Sequence, residues 1–205
     1  MSAPERMELT DVCAVIGAAR LLPVLRVASA EQALALTERL VDAGLPAVEL
    51  TATTAGWADA VTALRSRADD LVVGAGTITT ADDARAAVDA GAHFLVSPYP
   101  APAVRPVAEA AGIPFIEGGF TPGEVADAAS RGVAKLFPAH VGGPTFLRSL
   151  TAVLPGARII PTGGIRLTDV GTWLEAGAFA VGVGSDLTAP GNIRSRIDQA
   201  LEGLG

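Results

Sequence analysis

The stretch DAGAHFLVS, residues 89–97, decides the fold. A polar helix end runs into Gly91 and from there directly into a short apolar run. Glycine just past a helix accepts the left-handed backbone that closes the last turn, so the phrase reads as helix end followed at once by strand start. The phrase recurs as DAGLPAVEL (42–50), EAAGIPFIE (109–117), SRGVAKLFP (130–138) and EAGAFAVGVG (175–184). Gly44, Gly91, Gly112, Gly132 and Gly177 are spaced by about 20 residues or about twice that, the mark of a repeating βα unit. Three further apolar runs, LLPVLRV (21–27), DLVVGAGTI (70–78) and ARIIPTGGI (157–165), fill the gaps and bring the strand count to eight.

Helix starts agree with that count. Ser29 with Gln32, Thr80 with Asp83 and Thr121 with Glu124 have the spacing of capping boxes or near variants. In LRVASAEQALALTERLVDAG, Ala33, Leu36, Leu40 and Val41 fall on one face of a helix. Eight strand and helix pairs, preceded by a helix over roughly residues 3–19, predict one α/β domain spanning residues 1–205. The predicted architecture is a (β/α)8 TIM barrel with an extra N-terminal helix, at the short end of the usual range. An open doubly wound sheet is the alternative, and no GxGxxG turn follows the first strand to favour it.

Composition narrows the function. Half of the 205 residues are hydrophobic and 4% aromatic, which suits one large core of small side chains in layered α/β architecture. The apolar runs are far short of a membrane span, and MSAPERMELTDV carries charges where a signal peptide is apolar, so a cytoplasmic protein is expected. Cys13 is the single cysteine, leaving no intrachain disulfide and no cysteine-based metal cluster. A net charge of -7 without any Lys/Arg run argues against nucleic acid or an anionic membrane as partner and for small-molecule chemistry.

Active sites of such barrels lie at the carboxyl ends of the strands. Polar residues there are Arg26, Glu49, Thr51, Thr53, Thr77, Ser97, Tyr99, Glu117, Lys135, Thr162 and Ser185. Lys135 is the sole lysine beside fourteen arginines. A high-GC genome drifts lysine to arginine wherever charge alone matters and spares a site where arginine will not serve. Arginine stays protonated and cannot form a Schiff base. Side-chain alternation places Glu49, Thr51 and Thr53 on one face of their strand, and Lys135 with Phe137 on one face of theirs. If both faces point inward, a carboxylate and an amine meet in one pocket.

Two readings of that pair stand side by side. One is a structural ion pair inside the barrel. The other is an amine freed by loss of ammonium solvation to attack a ketone, with Glu49 moving protons. A carboxylate too close would hold the lysine charged, so the chemical reading expects a loose or water-bridged contact. The glycines of PTGG (161–164) and GVGS (182–185) either aim backbone N–H groups at an anion or simply make tight turns. His93 reads as a core residue, and His140 as either a lining of the pocket mouth or a solvated loop residue. Trp57 and Trp173 read as packing residues on helices, and SPYPAPAVRP as a rigid loop. No His, Asp or Glu group has metal-ligand spacing, so no metal is expected.

Together the motifs LPVLR, AVELT, VGAGTI, FLVSP, KLFPA with GG after it, PTGGI and VGVGSDL resemble the KDPG/KHG aldolase family, class I lyases cleaving 2-keto-3-deoxy-6-phosphogluconate or 4-hydroxy-2-oxoglutarate. The resemblance implies a homotrimeric barrel without metal or organic cofactor, whose partner is a small keto acid, pyruvate plus an aldehyde. It makes Lys135 the Schiff-base residue and Glu49 the general acid/base. Thr77, Pro98, Phe137 and Thr162 match the pyruvate pocket; Gly163, Gly164 and Ser185, with Gly184 beside it, match the phosphate end. Many members carry arginine where this chain has Thr53, and its absence resembles the galactonate branch, which shares GSDL and a tryptophan soon after strand two. Arg26 is the expected substitute for that charge. Tyr99 stands where a small residue is usual, and Glu117 where PG usually ends strand five. A carboxylate near a phosphate pocket costs about 1 kcal/mol or more, which weighs against a phosphorylated substrate. The rivals are a barrel isomerase without a covalent step and a non-catalytic trimeric binding protein of the same fold.

Overall fold

The computed structural model describes residues 7–67, 70–189 and 191–202. After α1 (Leu9–Ala19), strands and helices alternate: β1 (Leu21–Leu25), α2 (Ala30–Asp42), β2 (Ala47–Thr51), α3 (Trp57–Arg67), β3 (Val72–Gly76), α4 (Ala81–Asp89) and β4 (Phe94–Val96). The second half continues with α5 (Arg105–Ala111), β5 (Phe115–Gly119), α6 (Pro122–Ala129), β6 (Ala134–Leu136), α7 (Ala139–Val153), β7 (Ile159–Pro161), α8 (Val170–Glu175), β8 (Val181–Val183) and α9 (Ile193–Leu201). All eight strands are parallel, in the order β7-β6-β5-β4-β3-β2-β1-β8. Between β7 and β8 the ladder thins to the Phe179 N–H bond to Ile159 O and a bridge from Thr162 to Gly182, so the barrel is nearly closed.

Two cores follow from strand alternation. Outward-facing residues pack against the helices, whereas Leu22, Ala47, Val72, Phe94, Ile116 and Ile160 fill the lumen. Gly74 leaves space for the Phe94 ring, which lies 2.2 Å from where a Cβ would sit. Val12, Cys13 and Ile16 of α1 pack onto this inner cluster and close the amino-terminal end. Chemistry is thereby confined to the opposite mouth.

Ser29, Thr80 and Thr121 are the N-caps of α2, α4 and α6, and the Thr121–Glu124 pair is a full reciprocal box. Gln32 instead accepts the Ala28 N–H, one residue before the cap. Two expectations are corrected. α1 begins at Leu9, behind a capping box of Glu8 and Asp11, and the portion expected over residues 3–6 lies outside the described residues. Val41 is 40% exposed, and Thr37 takes its place in the buried face, its hydroxyl donating to Ala33 O. At about 100° per residue, Thr37 lies about 40° round from Ala33 and Val41 about 80°. Trp173 is buried and Trp57 is packed partly buried against the same core. His93 is buried, with Nδ1 accepting the Val73 N–H at the start of β3.

Candidate active site

Lys135 is the middle residue of β6, and Glu49 the middle residue of β2. Their side chains meet in the lumen: Nζ lies 3.0 Å from Oε1 and 3.3 Å from Oε2. Lys135 is 5% exposed and Glu49 1%. The contact is direct, not the loose one expected. Its cause lies on β3, where Gly76 has no side chain: a Cβ there would stand 2.0 Å from Glu49 Oε1. The carboxylate therefore occupies space left open by Gly76 and faces the ammonium. The Phe137 ring lies 5.9 Å from Nζ and supplies an apolar wall with a cation–π component.

A second cationic group stands at the rim. Arg26 follows β1 and reaches across β2 to β3, with Nη1 donating to Thr53 Oγ1 at 2.6 Å and Nη2 to Thr77 Oγ1 at 3.1 Å. Thr51 joins this hydroxyl group through Thr53 and anchors it by donating to Leu25 O. Thr77 has φ 60, a left-handed backbone that a β-branched residue rarely adopts. The hydroxyl carried on this unusual backbone is the one that accepts from Arg26. The guanidinium thus fills the region where Thr53 leaves no charge of its own.

The opposite side of the mouth is built from backbone. Gly163 and Gly164 take φ 97 and φ 70 in succession after β7. Phe137 packs against Gly163, and the His140 ring against Gly164, each within 3.0 Å of a would-be Cβ. Gly182 leaves room for the buried Thr162 hydroxyl, while Gly184 and Ser185 follow β8. Pro98 follows β4, its loop held by Ser97 Oγ donating to Tyr99 O and accepting the Gly118 N–H. Tyr99 itself is 55% exposed. No group of three or more His, Cys, Asp or Glu side chains is placed to hold a metal among the described residues.

Glu117 is a correction. Gly118, not Glu117, is in register with Lys135, so Glu117 points out of the barrel alongside Ala134. There its carboxylate accepts the Ala101 N–H and pairs with Arg105 and Arg131, which also share Asp127. It ties the β4–α5 loop to α5 and α6 and places no negative charge in the mouth.

Residues 12–202 match the family model described as KDPG and KHG aldolase. The chain belongs to the KDPG and KHG aldolase family. It is 33% identical over 187 residues to a 2-dehydro-3-deoxy-phosphogluconate aldolase of Treponema pallidum, covering 83% of this chain and 89% of the relative. A 2-dehydro-3-deoxy-6-phosphogalactonate aldolase of Escherichia coli is 30% identical over 183 residues, covering 87% and 89%. Among solved structures, a 4-hydroxy-2-oxoglutarate/2-dehydro-3-deoxyphosphogluconate aldolase from TTHB1 superposes with a TM-score of 0.81 at 37% identity, covering 92% of this chain and 96% of that one. The aldolase of Legionella pneumophila, with pyruvate captured as a covalent carbinolamine, superposes with a TM-score of 0.79 at 29% identity, covering 92% and 93%.

In this aldolase, the parts played by two residues near the Lys135–Glu49 pair and the β7 turn escape a sequence reading in whole or in part. Gly76 is visible only as one of two glycines on the same face of β3 in GAGT, a side-chain-free stripe that something bulky must fill. For His140 the sequence leaves pocket mouth and solvated loop as alternatives, and the ring contact with the β7 turn is not visible in it.

Proposed function

We propose that this aldolase cleaves or forms a 2-keto-3-deoxy sugar acid or 4-hydroxy-2-keto acid through an imine on Lys135, with pyruvate as the enamine-forming partner. The observation that carries the reading is the buried Lys135–Glu49 contact at 3.0 Å. A carboxylate this close pairs with the ammonium at rest, so the proton has to pass to Glu49 before the amine attacks, and the direct contact gives it the route. Glu49 takes a proton from the ammonium, and the amine attacks the substrate C2 to give a carbinolamine. Glu49 then returns its proton to the carbinolamine hydroxyl, which leaves as water and yields the protonated imine. Glu49, again a carboxylate, accepts the C4 hydroxyl proton as the C3–C4 bond breaks. The bond electrons pass into the imine, giving the enamine and free aldehyde. Protonation of C3 by Glu49 and hydrolysis release pyruvate and restore the ion pair.

Arg26 takes the keto-acid carboxylate, using donors beyond the two given to Thr53 and Thr77. Pro98, Phe137 and Thr162 wall the pyruvate moiety. Gly163, Gly164, Gly184 and Ser185 receive an anionic far end of the substrate. With Glu117 outside the barrel, the charge argument against a phosphate there disappears. The homotrimer implied by the resemblance belongs to the same proposal, and light scattering on the purified chain tests it.

Borohydride reduction in the presence of pyruvate tests the covalent step. The peptide containing Lys135 gains the mass of a reduced pyruvate adduct. No gain at saturating pyruvate sinks the reading and favours an isomerase or a binding protein. Lys135 is the one side-chain amine in the chain, so the signal has a single internal address.

A further inference from the structure

We infer that His140 is a positioning residue for the far end of the substrate, acting through the peptide that joins Gly163 and Gly164. The inference rests on the proposed placement of an anion at that turn. Residues 139–142 form a short helical segment soon after the Lys135 strand, separated from the rest of α7 by Gly143, whose backbone is not helical. This segment is docked on the β7 turn by three hydrogen bonds: Ala139 N–H to Thr162 O at 2.8 Å, His140 N–H to Gly163 O at 3.1 Å, and His140 Nδ1 with Gly163 O at 3.2 Å. A carbonyl only accepts, so Nδ1 carries the proton in that contact.

The consequence lies in the peptide plane. Gly163 O and the Gly164 N–H belong to one trans peptide and point in opposite directions. Two donors from His140 hold the oxygen on the α7 side and so aim the Gly164 N–H away from His140. Left alone, two successive glycines with positive φ have the freedom to rotate that peptide. The imidazole also lies where a Gly164 Cβ would be, 2.6 Å from Cγ, so ring and turn are fitted to each other. His140 therefore selects for substrates whose far end is an anion able to accept that N–H, and does so without touching the reacting carbons.

Asparagine places an N–H donor close to the position of histidine Nδ1, whereas alanine does not, and this separates the hydrogen bond from the ring. The experiment measures inorganic phosphate binding by calorimetry, and KM and kcat for a phosphorylated acceptor aldehyde and its unphosphorylated analogue. His140→Ala is expected to weaken phosphate binding and raise KM for the phosphorylated acceptor about fivefold, the worth of one hydrogen bond, with kcat kept. His140→Asn is expected to restore both. No change in His140→Ala, equal loss in both variants, an equal KM rise for the unphosphorylated acceptor, or no phosphate binding by the unsubstituted chain overturns the inference. Failure of pyruvate trapping on Lys135 would instead overturn the aldolase chemistry and leave the phosphate titration to judge His140.

Discussion

Replacing Gly76 with alanine probes the placement of Glu49 while leaving both reacting side chains in place. The new Cβ would stand 2.0 Å from Oε1 and 2.6 Å from Cδ and Cγ of Glu49, about 1 Å closer than real Cβ atoms approach anything. Glu49 has to withdraw by that much, and its 3.0 Å bond to Lys135 then passes out of hydrogen-bonding range. Overpacking of this kind costs about 1–3 kcal/mol. In a chain of this size that lowers the melting temperature by about 2–12 °C. Loss of the positioned acid/base lowers the initial rate of pyruvate trapping by about 100-fold. Thermal denaturation and time-resolved borohydride trapping read the two effects separately. In a Glu49→Ala background the clash partner is gone, so Gly76→Ala should cost little stability, a coupling that a thermodynamic cycle isolates. If Gly76→Ala melts with the unsubstituted chain and traps pyruvate at its rate, the carboxylate does not occupy that space and the proton route fails with it.

Lys135→Arg keeps a charge opposite Glu49 and should leave the fold intact while eliminating the pyruvate adduct; an adduct at the same peptide would show that the amine is not the nucleophile. Arg26→Ala should raise KM for pyruvate about tenfold, the worth of a charge-assisted hydrogen bond, and an unchanged KM would place the carboxylate elsewhere. Glu117→Ala leaves Arg105 and Arg131 facing a vacated, largely buried site and should destabilise the chain by about 2–3 kcal/mol in denaturant titrations, with trapping on Lys135 unaffected. Burial, reinforced by the Arg65 guanidinium, holds the His93 imidazole down at about 4. The unfolded chain takes up this proton near pH 6.5 and the folded chain only near pH 4, so the stabilisation is complete above that upper value. It is lost as pH falls toward 4, by about 3 kcal/mol. His93→Asn keeps an acceptor for the Val73 N–H without titrating, and should flatten the stability curve across that window; an unchanged slope would assign the loss to other groups.

The eight strands are legible in the sequence because local chemistry announces them: a glycine just before five of the apolar runs, and a capping residue after β1, β3 and β5. Lys135 and Glu49 are legible for a different reason, since a lone lysine and a carboxylate in apolar strands have few uses. The direction in which Glu117 points is not legible. It depends on whether Glu117 or Gly118 lies level with Lys135, and a shift of one residue in register exchanges the two faces of a strand. Local sequence carries no such information. The directness of the Lys135–Glu49 contact is hidden for a related reason: it is set by Gly76 on a third strand, through the absence of a side chain. Val41 shows the limit of face-counting on a helix, where the residue at the edge of the apolar stripe loses its place to a threonine nearer the centre.

The thin joint between β7 and β8 has a bearing on how the barrel is closed. A closed sheet has no edge, and here closure depends on the Phe179 N–H and the Thr162–Gly182 bridge. Gly163 and Gly164 stand on one bank of that joint, and Gly184 and Ser185 on the other. The anion proposed for these four residues would be held from both banks and so act as the last rung of the sheet, completing the hoop where the backbone ladder is thinnest.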